Sequence, residues 1–125
     1  MRIGLTAKGA GLGAWLDPHF GRCQQVVLVD ENNRFEAWTN PSSERPGGAG
    51  ISMAKRLADS GCTALITGVI NPEAFEYLKE RGIPVYLVGR GILLELIEAL
   101  RDGDLSPASE KDVEASFQAR GSECR

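Results

Sequence analysis

The sequence predicts a single α/β domain: a mixed five-stranded sheet with helices on both faces and one antiparallel hairpin strand. Three observations set that class. In the second half of the chain, apolar runs at residues 64–67 and 84–88 alternate with stretches whose apolar residues recur every three or four positions, the pattern of parallel strands joined by helices. In the first half, the runs at residues 25–30 and 34–38 are separated only by a polar turn, which reads as an antiparallel hairpin. A length of 125 residues suits one core rather than two.

Taken in order, residues 2–6 alternate apolar and other side chains and form the leading strand. Gly9, Gly11 and Gly13 follow in a loop. They superficially match a dinucleotide fingerprint, but Asp17-Pro18 comes next where a helix should open, so the stretch reads as a flexible loop. Val26 to Val29 is continuously apolar, as in a strand covered on both faces. Residues 34–38 return with alternation, and Asn40-Pro41 ends the hairpin. Gly47-Gly48-Ala49-Gly50 leads into a helix whose apolar residues are Ile51, Ala54, Leu57 and Ala58, stopped by Gly61. After the strand at 64–67, Asn71-Pro72-Glu73 supplies an N-cap, a first-turn proline and a carboxylate for the next helix, which Gly82 closes. A strand at 84–88 follows, and Gly89-Arg90-Gly91 opens a helix with Ile92, Leu93, Leu96, Ile97 and Leu100 on one face. The domain is thus residues 1–104, and residues 105–125, polar and weakly periodic, read as a mobile tail ending near Cys124.

A net charge of −3 gives no general attraction to phosphate backbones or anionic lipid, so neither nucleic acid nor membrane is an expected partner. The N-terminus has no apolar signal segment, and no run approaches the roughly 18 apolar residues of a membrane helix; a cytoplasmic protein is expected. Three widely spaced cysteines, Cys23, Cys62 and Cys124, suit neither a disulfide framework nor paired zinc spacing. They are also one thiolate short of a four-cysteine iron–sulfur site.

Asp17-Pro18-His19-Phe20-Gly21-Arg22-Cys23 concentrates ligand chemistry. It holds the only histidine, a cysteine and an arginine in an ordered loop between two strands. A histidine beside a proline turn also serves as a structural hydrogen-bonder, and both readings stand. In parallel sheets ligands bind beyond the carboxyl ends of the strands, so the His19 loop, residues 68–71 and residues 89–91 are expected at one end. The glycines before two helices either admit an anion to free first-turn N–H groups or act as flexible connectors. Met53 and Cys62 read as core residues.

In this order and spacing, the leading strand, Pro18-His19-Phe20-Gly21-Arg22, Asn40-Pro41, Gly47-Gly48-Ala49-Gly50, the turn from Thr67-Gly68 to Asn71-Pro72-Glu73-Ala74, and Gly82-Ile83-Pro84-Val85-Tyr86 resemble the dinitrogenase iron-molybdenum cofactor biosynthesis family. The resemblance covers about the first hundred residues. It implies a three-layer, ribonuclease-H-like fold and noncovalent carriage of a molybdenum-containing metal–sulfur cluster, of iron–molybdenum type or, as in the similar orange protein, of molybdenum–copper type. It also implies cluster donor and acceptor proteins as partners, and the His19 loop as a cluster contact.

Such clusters are anionic and soft, and suit backbone N–H groups, a guanidinium and a nitrogen or sulfur ligand. The candidate cofactor-binding residues are therefore His19, Phe20, Gly21, Arg22, Gly47, Gly48, Ala49, Gly50, Asn71, Gly89 and Gly91, with His19 and Cys23 as candidate metal contacts. No nucleophile with a triad and no cluster of strand-end carboxylates is present, so a non-catalytic carrier is expected. A metal-dependent nuclease would need carboxylates on the strands at 2–6 and 64–67, which have none. A regulatory or interaction domain that binds no cluster is the remaining alternative, and a homodimer sharing one cluster would explain the shortage of soft ligands.

Overall fold

Runs of β-branched and aliphatic residues form the strands because such side chains pack well on a pleated surface. In a computed structural model, which describes residues 2–40 and 50–120, they are β1 (Arg2–Ala7), β2 (Gln25–Asp30), β3 (Phe35–Thr39), β4 (Ala64–Thr67) and β5 (Val85–Leu87). The helices are α1 (Gly50–Asp59), α2 (Pro72–Glu80), α3 (Leu93–Arg101) and α4 (Glu110–Arg120). The strands form one sheet in the order β3-β2-β1-β4-β5. β1, β4 and β5 run parallel to one another, and β2 is antiparallel to both β1 and β3. The expected mixed five-stranded sheet with a hairpin is the sheet observed.

Period-two geometry divides the strand residues between two cores. Val26, Leu28, Leu65 and Val85 face α1 and α2, where they pack with Met53, Leu57, Phe75 and Leu78. Ile3, Leu5, Val27, Val29 and Ile66 face the other way, against Leu93, Leu96 and Ile97 of α3. The layers are thus helix, sheet, helix. β1 is central, and its residues from Ile3 to Ala7 are buried on both faces, so its sequence alternation does not mark a solvent face. Met53 and Cys62 lie in the core as expected.

The expectation of a mobile tail needs correction. Residues 110–120 form α4, which docks on α2 through Val113, only 1% exposed. Ahead of it, the Ala108 N–H donates to the Val85 carbonyl at 2.7 Å, and Lys79 pairs with Glu110 at 2.6 Å. The helix start is fixed reciprocally. Ser109 N–H donates to Asp112 Oδ2 at 2.9 Å, and Asp112 N–H donates to Ser109 Oγ at 3.2 Å. Ser109 and Asp112 thus form a capping box, a local signal visible in the sequence. Cys124 lies outside the described residues. No described helix is long and apolar enough to cross a membrane.

Candidate functional site

β1 ends at Ala7, and the chain then folds back along the carboxyl ends of the parallel strands. Lys8 N–H donates to the Trp15 carbonyl at 3.0 Å, and Asp17 N–H to the Thr6 carbonyl at 2.9 Å, closing a short antiparallel return. Leu16 N–H donates to the Gly91 carbonyl at 2.8 Å. Next, the Pro18 carbonyl accepts from Gly68 N–H at 3.1 Å and Val69 N–H at 2.6 Å, and Phe20 N–H donates to the Val69 carbonyl at 3.0 Å. His19 therefore lies beside Val69 as an added parallel bridge. A Cβ on Gly68 would stand 2.5 Å from Pro18 Cβ, so only glycine permits this approach. The three loops share one end of the sheet, as expected.

The His19 loop is held from several sides. Asp17 Oδ1 accepts from His19 N–H at 3.1 Å across the proline, an Asx turn. Thr6 Oγ1 donates to the Asp17 carbonyl at 2.5 Å and contacts Thr67 Oγ1 at 2.8 Å. A hydroxyl carries one proton, so Thr67 donates to Thr6. Arg22 N–H donates to the His19 carbonyl at 3.2 Å, and Gly21, at φ +89°, takes the third place of that turn, which demands positive φ. Asn40, buried at the end of β3, donates from Nδ2 to the Gly21 and Cys23 carbonyls, each at 2.9 Å. The sequence reading missed Thr6, Asp17, Asn40 and Thr67 as positioning residues. Only Asp17, before proline, and Asn40, at the hairpin end, carried a local signal.

The candidate residues do not share one fate. His19 and Arg22 are half-buried on the loop, and Phe20 turns into the core between sheet, α1 and α2. Gly50 begins α1 against the Asn71 side chain, whose Nδ2 would lie 3.0 Å from a Cβ there. Asn71 caps α2, its Oδ1 accepting from Ala74 N–H at 2.7 Å, as the sequence indicated. Gly47, Gly48 and Ala49 lie outside the described residues.

Two expectations are corrected. Cys23 is fully buried, and desolvation, reinforced by the negative charge of Asp17, pushes its thiol up to about 12, so it is a core residue and a poor source of thiolate. The start of α3, with Gly89 and Gly91, does not offer all its N–H groups. Leu93 N–H donates to the Ala14 carbonyl at 3.0 Å and Leu94 N–H to the Leu12 carbonyl at 2.9 Å. The glycine-rich loop expected to be flexible is thus the cap of α3.

α1 differs from the other helices of the sheet layers. Its first turn contains no acidic residue, whereas α2 has Glu73 and α3 has Glu95. Among the described residues, no group outside α1 accepts from the N–H groups of its first turn. Its positive dipole end is therefore uncompensated by side chains of its own turn. No group of three or more His, Cys, Asp and Glu among the described residues could hold a metal ion. A guest metal at this end would have to bring most of its own ligands.

The sequence model of a family described as dinitrogenase iron-molybdenum cofactor matches residues 1–103. An uncharacterised protein of Methanocaldococcus jannaschii is 33% identical over 94 residues, covering 72% of this chain and 80% of that protein. The apo orange protein from Desulfovibrio gigas superposes with a TM-score of 0.80 at 37% identity, covering 86% of this chain and 92% of that one. A NifB-like protein from Thermotoga gives 0.72 at 27% identity, with 85% and 91% covered.

Proposed function

The chain belongs to the dinitrogenase iron-molybdenum cofactor family, and from that premise we propose that it carries a preformed molybdenum-containing metal–sulfur cluster as cargo, without catalysing a reaction. One observation carries the proposal. A rigidly clamped loop presents His19 and Arg22 at the carboxyl end of the sheet, beside Val69 and the adjoining Asn71, against which the acid-free start of α1 rests. A cluster that brings its own sulfides needs little more than this: one soft nitrogen, a guanidinium, and N–H donors at a positive helix end. Arg22 has no carboxylate partner among the described residues, which leaves its charge for an anionic guest. Donor and acceptor proteins are the partners of such a carrier, and two copies sharing one cluster would double the ligand supply.

The molybdenum–copper form is a second version of the same cargo, favoured by the 37% identity with the orange protein. Anaerobic reconstitution with molybdate, sulfide and either iron or copper, followed by metal analysis and a visible spectrum, tests both. The expected result is stoichiometric colour and metal, dependent on one of the two partner metals and weakened in His19→Ala. Colourless, metal-free protein under every condition would instead favour an interaction domain. Mass measurement of the loaded protein separates a shared cluster from a monomeric carrier.

A further inference from the structure

On the other side of Pro18 from the core-facing Phe20, a 350 Å³ cleft is lined by Lys8, Trp15, Leu16, Pro18, Gly89 and Arg90. Lys8 and Arg90 are exposed, come from the ends of β1 and β5, and have no acidic partner among the described residues. Two cations on one small cleft repel each other, and the arrangement gains from an anion between them. The wall is not polar. Trp15 is 51% exposed, one of two large hydrophobics so exposed among the described residues, and Leu16 and Pro18 continue the apolar surface. Val88 N–H is already bound to the Thr67 carbonyl, but the next N–H groups, of Gly89 and Arg90, have no described acceptor. A cation pair, free amides and an indole face together select a compact dianion with a polarisable surface.

We propose that Lys8, Arg90 and Trp15 form a receiving site for a mononuclear thiometallate dianion, distinct from the His19 loop and adjacent to it through Pro18. The choice of a sulfur-bearing dianion rests on the cargo reading above; the presence of an anion site does not. Sulfide is more polarisable than oxide and suits the indole wall, while Arg90 and Lys8 supply the charge. The site would meet the simple anion, and the His19 loop the assembled cluster.

Anaerobic equilibrium dialysis against tetrathiomolybdate at constant ionic strength, read by metal analysis, tests this on the full chain. Lys8→Gln/Arg90→Gln is expected to weaken retention by roughly tenfold or more, since two charge-assisted contacts are lost. Arg34→Gln, an exposed charge loss away from both the cleft and the His19 loop, should retain it as wild type does. Both changes in the first variant are at exposed residues, and circular dichroism checks its fold. In a Trp38→Phe background, molybdate should change Trp15 emission saturably but more weakly. Equal retention by the double variant, or an equal loss in Arg34→Gln, would overturn the cleft while leaving cluster carriage to its own reconstitution test. Equal affinity for sulfate, phosphate and tetrathiomolybdate would overturn the thiometallate class.

Discussion

Two helices of this fold begin beside glycines, and their first turns are treated in opposite ways. At α3, the loop after β1 folds over and lays the Leu12 and Ala14 carbonyls on Leu94 and Leu93 N–H, while Gly91 hands its own carbonyl to Leu16. At α1, no described group outside the helix accepts from the first turn, no acid sits in it, and the neighbour is the amide side of Asn71. Glycines before a helix make its N–H groups approachable, but they do not say what approaches. At α3 it is the chain itself. The covered start and the open start are distinguished by tertiary carbonyls that have no signature at the helix.

Substituting the two glycines should break the symmetry most visibly. Gly91 has φ +152°, and a Cβ there would meet Leu96 Cδ2 at 2.9 Å, so Gly91→Ala is expected to cost ~1–3 kcal/mol through strain and overpacking. Gly50→Ala should change stability by less than about 1 kcal/mol, because the position is helical and faces a side-chain amide. Its effect should appear in cluster retention instead. Urea unfolding of the pair, beside metal uptake, would refute the distinction if the stability losses were equal.

Asn71 sharpens the same contrast, since it caps α2 while lying against α1. Asn71→Ala removes the bond from Ala74 N–H and should destabilise by about 1 kcal/mol, measured by denaturant midpoint. Asn71→Asp keeps the cap but sets a negative charge beside α1. Stability near wild type with reduced uptake of an anionic cluster is expected, and unchanged uptake would mean that α1 does not face the cargo.

An effect absent at neutral pH concerns what the α1 side can offer besides N–H groups. Cys23 holds its proton up to about 12 in the folded chain, against 9.0 ordinarily. Folded and unfolded chains are both protonated below about pH 9; above it only the unfolded chain releases the proton. Stability should therefore be unaffected by this thiol up to about pH 9 and then fall toward pH 12, by at most about 1.4 kcal/mol per pH unit. Cys23→Ala should flatten that slope in unfolding measured from pH 8 to 11. Rapid alkylation of native Cys23 at pH 8 would contradict its burial.

Much of this was legible beforehand. Val26 to Val29 declared a strand buried on both faces, and Asn71-Pro72-Glu73 declared a capped helix, because those signals are local. The shared sheet end was legible too, since parallel strands put their following loops together. Cys23 was not, because whether a loop cysteine turns inward depends on Phe20 and Asn40 packing around it. α4 was missed for a different reason. Seven of its eleven residues are polar, Val113 alone among those described is buried, and only Ser109 and Asp112 mark its start. A helix docked by so little apolar surface leaves hardly any period to read.

The bond from Ala108 N–H to the Val85 carbonyl also bears on what many copies of this chain do in concentrated solution. It sets the chain's own segment against the outer margin of β5 at Val85, where it stands in the way of a further strand. Among the described residues only β3 remains unpaired on its outer side, with Phe35 exposed there between Arg34 and Glu36. Strand-by-strand polymerisation needs two free margins on each molecule. A sheet with one closed margin can join a neighbour once, and the addition then terminates.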